Sequence, residues 1–415
     1  MSNVNLEYGN IPPHIPIDLV RNVDIFGQKS GGDPFISAAK TNRLGKVFFN
    51  IGDKSLENSG VWVVTDLALM RRALKLPGLF SSNGTTNFSR MVGEDWDLIP
   101  IELDPPRHSL FRRILSAAFS PMRMKQLEPF IRESAVRLIE EFRGEDGCEF
   151  IEAFAYPFPR SAFIHLLGLP QDQYETFCGW EKGKLHALHS QNRLKRMAAA
   201  RAIVEYMRDF IKYKRRNQGD DLVTLCINAD IDGHSATDSE ILGICVLMFI
   251  AGLDTVAASL GLNFRHLAMN PKTCQNELRQ DPGKAGAAAI ELLRRYSVIN
   301  DRIRILTADS DILGVDMKAG DRVLFPTALV NLSEAAFVDP LTVEFGRDNR
   351  EHAGYFYGAH RCLGRHLATL ELTIAIEEWL DRIPEFRLAD PNPPPISTTS
   401  GVFGVDKLYI AWGRA

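Results

Sequence analysis

The sequence predicts a mainly α-helical protein with small β regions, and three observations support this fold class. Apolar residues recur at helical spacing through most of residues 105–382, which predicts a helical core. Strand-like runs are short and lie mainly near residues 45–66 and 385–412. One apolar run over residues 241–264 is much longer than a strand and predicts a buried helix.

The individual elements follow from the spacing of the apolar residues. The clearest helices are expected over residues 107–119, 122–142, 158–167, 194–214, 239–270, 285–296 and 363–382. Strands are expected over residues 46–52, 60–66, 304–307, 322–325 and 407–412, the first two forming a hairpin. The sequence has no Gly/Ser linker and no repeat, so we expect a single domain over residues 1–415.

The long apolar helix, about residues 239–270, raises a question about membranes. Its length and composition suit a membrane span, but Asp254 falls at its middle, where a charge in lipid is costly. A second such run is absent from the sequence, so we expect the central helix of a large domain, about 48 Å long. A carboxylate inside such a helix requires a reason.

Charge and cysteine usage exclude several classes of partner. The net charge of −4 gives no bulk electrostatic reason to expect a nucleic acid. The N-terminus lacks the basic and apolar regions of a signal peptide, so we expect no membrane anchor. The six cysteines show neither CxxC nor zinc spacing, which is typical of reduced thiols. We therefore expect a cytoplasmic protein.

The first chemical motif is Cys362, which lies between Gly358 and Gly364 just before a predicted helix. A thiolate can ligate haem iron, and a helix N-terminus stabilises the anion. The glycines allow the backbone to approach a flat ring closely. Taken alone the spacing is a weak signal, and a buried structural cysteine is the alternative.

The second motif, Ala251-Gly252-Leu253-Asp254-Thr255, lies within the long helix. The Thr255 hydroxyl can bond to the Ala251 carbonyl four residues earlier and open or bend the turn. Asp254 and Thr255 together offer a proton-transfer pair in an apolar environment. Alternatively, the aspartate pairs with an arginine and the threonine simply packs.

Two further motifs place charged residues on one helix face. Glu291 and Arg294 lie three apart, and a buried bidentate pair joined by Arg347 would form a scaffold. His108 and Arg112 lie four apart after two prolines and can bind carboxylates or phosphates. In both cases ordinary solvated charges are the alternative.

The order of the four motifs resembles that of the cytochrome P-450 family, and in particular the bacterial camphor-hydroxylase branch. The resemblance covers essentially the whole chain, and the matching stretches are residues 12–16, 97–106, 251–256, 291–297, 318–321, 382–386 and 400–405. It implies the P-450 fold and a haem-thiolate monooxygenase with haem b (iron protoporphyrin IX).

The resemblance also implies a role for each motif. Cys362 would be the ligand of the haem iron, and Ala251 and Gly364 would lie against the macrocycle. The side chains expected at the propionates are those of His108, Arg112, Arg304 and His360, with Asp301 close by. Asp254 and Thr255 would be catalytic, with Thr255 delivering protons to bound oxygen and Asp254 connecting that site to solvent. Glu291, Arg294 and Arg347 would be the scaffold.

The substrate pocket is implied by the same resemblance. Trp96 falls where the camphor enzyme has the tyrosine that hydrogen-bonds its ketone, and an indole N–H can still donate. Apolar pocket positions correspond to Leu247, Ile250, Val298, Val402 and Phe403. They suggest a compact hydrophobic substrate such as a terpenoid or norisoprenoid. Ordinary packing in a loop is the alternative for Trp96.

Two departures from the family pattern concern the haem surroundings. Tyr355 replaces the usual phenylalanine seven residues before the cysteine, with Phe356 beside it. The Tyr355 hydroxyl can change the surroundings of the cysteine sulfur and hence the redox potential of the haem. The chain also has one extra residue between Asp301 and Arg304, which affects the pocket wall over residues 298–303.

Soluble members of the camphor-hydroxylase branch receive electrons from a [2Fe-2S] ferredoxin, which a flavin-dependent NAD(P)H reductase reduces. A basic face for this acidic partner is expected from Arg107, Arg113, Arg123, Lys125, Arg361 and Arg365. Three other functions compete: a peroxygenase using hydrogen peroxide, a haem-based sensor or carrier, and an enzyme with Cys362 as nucleophile. The Asp254-Thr255 pair argues against the peroxygenase, and a sensor or carrier predicts bound haem but no oxidised product. His360, two residues from Cys362, is poorly placed to activate a nucleophile.

Overall fold

The structure, a computed structural model, describes residues 11–27, 32–52, 60–86, 88–170, 192–299, 302–348, 351–399 and 401–413. Asp301 lies outside these residues. The mainly helical fold class with small sheets is confirmed.

The α-helices are α1 (Pro34–Thr41), α2 (Leu67–Leu74), α3 (Phe88–Val92), α4 (Arg107–Ala118), α5 (Pro121–Glu140), α6 (Pro157–Leu167), α7 (Arg193–Arg216), α8 (Leu222–Ile227), α9 (Asp238–Met269), α10 (Asn276–Gln280), α11 (Ala285–Arg295), α12 (Thr327–Asn331) and α13 (Arg365–Arg382). Each helix predicted from the sequence is present, and its ends agree with the prediction within two residues. The additional helices have eight residues or fewer. The sequence did not predict them because so few turns show no clear apolar period.

The strands are β1 (Val20–Arg21), β2 (Val47–Asn50), β3 (Val61–Val64), β4 (Phe80–Ser81), β5 (Gly147–Glu149), β6 (Ile303–Leu306), β7 (Arg322–Leu324), β8 (Arg387–Leu388), β9 (Ser397–Thr399), β10 (Val402–Gly404) and β11 (Tyr409–Ala411). The predicted hairpin is confirmed, since β2 and β3 pair antiparallel with Val47 opposite Val64. One sheet has the order β1-β2-β3-β7-β6-β4, so strands far apart in sequence are neighbours.

The chain divides into two compact units, each assembled from separate stretches of sequence. The first unit consists of Met1–Thr85, Ile290–Cys362 and Pro395–Gly404 and contains the six-stranded sheet. Strands β2 and β3 are buried on both faces, which explains their continuous apolar sequences. The core of this unit includes Trp62, Phe80, Phe325 and Phe356.

The second unit consists of Thr86–Ala289, Leu363–Pro394 and Val405–Ala415 and is mostly helical. Helix α9 begins with a capping box between Thr237 and Glu240, and residues 241–249 are buried without interruption. Helices α5 and α13 pack together, and Arg132 on α5 pairs with Glu377 and Glu378 on α13. The prediction of one domain over residues 1–415 stays a prediction.

Helix α9 is, by length and composition only, able to cross a membrane. However, 67% of its most apolar window is buried inside the described structure. This burial is typical of the core helix of a globular protein, as predicted for residues 239–270.

Candidate active site

Cys362 lies in the turn between a 3₁₀ turn, Gly358–His360, and the start of α13. Its backbone N–H donates to the Tyr355 carbonyl at 2.8 Å, which closes the loop. Its side chain is exposed. Two other thiols, those of Cys148 and Cys226, have pKa values that burial raises to about 12. Among the described cysteines, Cys362 is therefore the thiol that a large ligand can reach.

The cysteine loop, residues 355–362, is held by helix α2. Gly358 has φ +69°, and a Cβ at this position would overlap the Leu74 carbonyl oxygen at the end of α2. Arg71 on α2 pairs with Glu351 and lies 5.2 Å from the centre of the Tyr357 ring. Glycine is thus required here both by the backbone angle and by the close approach of α2.

Two of the residues predicted at the propionates, His360 and Arg304, belong to the first unit, and each contacts a neighbouring residue. His360 lies in the cysteine loop, with its Nε2 at 2.9 Å from the Ser82 hydroxyl. Arg304 on β6 is 3% exposed, and its Nη1 donates to the Ile303 carbonyl at 2.7 Å. The Arg304 guanidinium also lies 5.2 Å from the centre of the Phe356 ring.

The predicted scaffold is a buried network. Arg294 donates to both oxygens of Glu291 at 2.8 Å, and both side chains are fully buried. Arg347 donates to the same carboxylate at 3.1 Å, and Arg294 also donates to the carbonyls of Asn331 and Pro340. The bidentate, charge-assisted version of the pair is therefore the one that forms.

His352, which precedes the cysteine loop, is buried beside this network. Burial, with the nearby Arg361 and Arg294, lowers the pKa of His352 to about 4. Its Nδ1 accepts the Gly354 N–H at 3.2 Å, and its ring lies edge-on to Tyr355. A neutral imidazole is therefore buried directly before the cysteine loop at neutral pH.

The remaining propionate candidates, His108 and Arg112, lie one turn apart on α4 in the second unit. Helix α4 starts at Arg107, directly after Pro105 and Pro106, as the sequence predicts. His108 is buried, whereas Arg112 is half-buried.

The middle of α9 presents an accessible face in an otherwise buried helix. Ala251 is exposed, and Gly252, Asp254 and Thr255 are half-buried, directly after the buried residues 241–249. The Thr255 hydroxyl donates to the Ala251 carbonyl at 2.9 Å, as predicted. The helix continues unbroken through this turn. Small side chains on this face leave room for a flat group.

The predicted pocket residues lie in both units. Leu247 and Ile250 lie on α9, in the turn that directly precedes the accessible face. In the first unit the Phe403 N–H donates to the Val298 carbonyl, and Val402 bridges to Ile299. Phe403 is fully buried against the rings of Phe26 and Phe35, so it is part of the core.

The indole N–H of Trp96 is already engaged. It donates to the Glu94 carboxylate at 2.6 Å, and Arg208 on α7 donates to the same oxygen. The Arg208 guanidinium and, to a smaller extent, the Trp96 N–H hold the pKa of Glu94 below its usual range. In this arrangement Glu94 accepts the hydrogen bond of the one donor that Trp96 has, and the placing of Trp96 in the substrate pocket stays a prediction.

These residues fit a haem group by their chemistry. Cys362 supplies an accessible sulfur beside a helix start, His360 and Arg304 supply donors for carboxylates, and α9 supplies an accessible face of small residues. Sequence reasoning missed Ser82, Glu94 and Arg208. The contacts of Ser82 with His360 and of Arg208 with Glu94 join residues 278 and 114 positions apart and leave no local signal.

Comparisons with known proteins agree with this site. The family model "Cytochrome P450" matches residues 286–409, which include the buried scaffold and the cysteine loop. The probable cytochrome P450 127A1 of Sinorhizobium fredii is 38% identical, with 97% of each chain covered. The pentalenic acid synthase of Streptomyces avermitilis is 29% identical, with 86% of this chain and 89% of that protein covered.

Solved structures give the same result. The crystal structure of cytochrome P450 CYP101C1 matches with a TM-score of 0.86 and 28% identity, covering 98% of this chain and all of that one. CYP101J2 matches with a TM-score of 0.83 at the same identity and coverage.

The chain belongs to the cytochrome P450 family. It is a monooxygenase of the oxidoreductase class, and the cofactor of this family is a haem b with a thiolate ligand.

Proposed function

We propose that this protein hydroxylates a compact hydrophobic substrate of terpenoid or norisoprenoid type, using O₂ and electrons from a [2Fe-2S] ferredoxin. The observation that carries the proposal is the accessible Cys362 thiol in a braced glycine turn before α13. A flavin-dependent NAD(P)H reductase would supply the ferredoxin, and the whole system would work in the cytoplasm.

Six residues would hold the cofactor besides the iron ligand Cys362. His360, Arg304, His108 and Arg112 would bind the propionates, and Ala251 and Gly364 would lie against the macrocycle. The Ser82 hydroxyl, 2.9 Å from the His360 Nε2, would fix the orientation of that imidazole. When bound, the haem supplies the activation of O₂ and the oxidation of the substrate C–H bond.

Thr255 and Asp254 would help to deliver protons, with the Thr255 hydroxyl acting as a hydrogen-bond acceptor. The Thr255 hydroxyl donates its proton to the Ala251 carbonyl, so its lone pairs stay available to accept a further hydrogen bond. Asp254 is half-buried on the preceding position, so its carboxyl group would connect this face of the helix to solvent. Together they form a relay across the accessible face of α9.

Hydrophobic contact, and not a hydrogen bond from Trp96, would select the substrate. Trp96 is 9% exposed and its N–H is held by Glu94, so it presents an apolar ring surface. Leu247, Ile250 and Val298 add further apolar surface. Shape and apolar area thus favour hydrocarbons, whose binding removes nonpolar surface from water.

Two of the basic residues proposed for the ferredoxin surface are paired with carboxylates. Arg107 pairs with Asp97 and Glu240, and Arg123 pairs with Asp220. Arg113 and Lys125 are exposed on the second unit, and Arg361 is exposed on the first. We propose that these three cations attract the acidic partner, which makes turnover sensitive to salt.

The first test of the proposal uses the CO complex of the reduced protein. We expect a strongly red-shifted Soret band for wild type and for Cys274→Ala, which removes a half-buried cysteine elsewhere. Cys362→Ala should lose this shift. A shifted band that survives in Cys362→Ala would exclude Cys362 as the iron ligand.

The substrate class is tested next by the spin-state change of the haem. A compact terpene hydrocarbon should bind more tightly than the ketone of the same skeleton, in wild type and in Trp96→Phe alike. Tighter binding of the ketone, lost in Trp96→Phe, would show that the indole donates to the substrate after all.

A further inference from the structure

Phe356, in the cysteine loop, has a backbone conformation that aromatic residues rarely adopt. Its φ is +59°, and the other described non-glycine residues with positive φ are Asp232 and Asp339. Aspartate tolerates this region because its short side chain bonds locally, whereas a bulky residue there is strained. Such strain persists only where the surroundings hold the residue, and it concentrates at functional sites.

The surroundings that hold Phe356 are in the core of the first unit. Its N–H donates to the Ala353 carbonyl at 2.8 Å, and its side chain packs in the core with a residue exposure of 8%. The Phe325 ring lies edge-on at 6.5 Å. The ring is therefore fixed on one side by apolar packing.

The face of the same ring contacts a cation. The Arg304 guanidinium lies 5.2 Å from the ring centre, within the range of a cation–π interaction. Arg304 is 3% exposed, so its charge has little contact with water. A buried guanidinium needs partners that compensate the lost hydration, and an aromatic face supplies part of that compensation.

We propose that Phe356 is a positioning residue that orients the Arg304 guanidinium toward a haem propionate. This inference rests on the proposed role of Arg304 in cofactor binding. One Nη1 hydrogen bond to Ile303 and the ring face together define the plane of the guanidinium. A guanidinium held in one plane presents its fork in a defined direction, which suits a carboxylate. A glycine at position 356 would relieve the backbone strain but would leave Arg304 without this support.

The test is a double-mutant cycle on the holoprotein with Phe356→Leu, Arg304→Gln and both together. The measured quantity is the rate of haem transfer to excess apomyoglobin, with thermal unfolding of each apoprotein in parallel. Phe356→Leu should raise the rate about fivefold, because leucine fills the space but has no π face. In the Arg304→Gln background the same change should have almost no effect.

Two control variants separate positioning from packing. Phe356→Tyr keeps the ring face and should retain the wild-type rate of haem transfer. Phe325→Leu removes a core ring that lies edge-on to the rings of Phe80 and Phe356, and it should lower apoprotein stability without coupling to Arg304→Gln. If Phe356→Leu does not fold, Phe356→Met takes its place in the cycle.

Two results would contradict the inference in different ways. Equal rate increases from Phe356→Leu in both backgrounds would show that Phe356 only packs. An unchanged rate in Arg304→Gln alone would show that Arg304 does not bind the propionate, so the proposed cofactor role of Arg304 would fail first.

Discussion

The cysteine loop of the first unit and the middle turn of α9 in the second unit contain motifs of similar size that are held in different ways. In the loop, Phe356 and Gly358 both have positive φ, and the contacts that hold them come from α2 and β6. In α9, the backbone is an ordinary helix, and Thr255 bonds to a carbonyl four residues away. A motif in a helix needs only its local sequence, whereas a motif in a loop depends on distant residues.

Two glycines make this difference measurable. A Cβ at Gly358 would overlap a backbone oxygen, that of Leu74, at a backbone angle unfavourable for L residues. A Cβ at Gly252 in α9 would meet the Phe163 ring at 2.7 Å, at an ordinary helical angle. A ring at the end of a side chain can move aside, but the end of a packed helix cannot.

The largest effect is expected from Gly358→Ala. We expect a loss of about 4 kcal/mol in the free energy of unfolding, from left-handed strain and the overlap with α2. Denaturant unfolding measures it, with Gly78→Ala as control, since a Cβ at Gly78 meets nothing within 4 Å. A Gly358→Ala protein as stable as that control would disprove the tight contact with α2.

The next largest effect is the pH dependence of the free energy of unfolding that buried His352 causes. Its folded pKa of about 4 lies below the ordinary 6.5, so between these values the unfolded chain binds a proton that the folded protein does not. Stability contributed by neutral His352 is therefore complete above pH 6.5 and is lost as the pH falls toward 4. The loss amounts to about 3 kcal/mol.

This pH dependence is measured by comparing the unfolding of wild type and His352→Gln between pH 7 and pH 4. The loss of unfolding free energy between pH 7 and pH 4 should be about 3 kcal/mol smaller in His352→Gln than in wild type. His234→Gln, which changes an exposed histidine, should keep the wild-type loss. Parallel curves for wild type and His352→Gln would mean that His352 is not buried as a neutral group.

The smallest effect is expected from Gly252→Ala. Alanine favours the helix by about 1 kcal/mol, and displacement of the Phe163 ring offsets a similar amount, so the net change stays within about 1 kcal/mol. Denaturant unfolding beside Gly358→Ala checks this value. A loss as large as that of Gly358→Ala would show that α9 is as tightly constrained as the loop.

The structural features that the sequence determined are the local ones. Helix α9 was predictable from its apolar run and its end residues, because helical hydrogen bonds join residues four apart. For the same reason the Thr255–Ala251 bond and the Glu291–Arg294 pair could be foreseen. The four motifs also sufficed to predict the family and its cofactor.

Only the tertiary structure decided the contacts between distant stretches. Strand β4 pairs with β6 in the large sheet, Ser82 contacts His360, and Arg208 on α7 donates to the Glu94 carboxylate. No period or spacing in the sequence encodes these contacts, because they depend on which surfaces the folded chain brings together. The left-handed backbone of Phe356 has the same origin: packing in the core, and not local preference, holds the ring beneath Arg304.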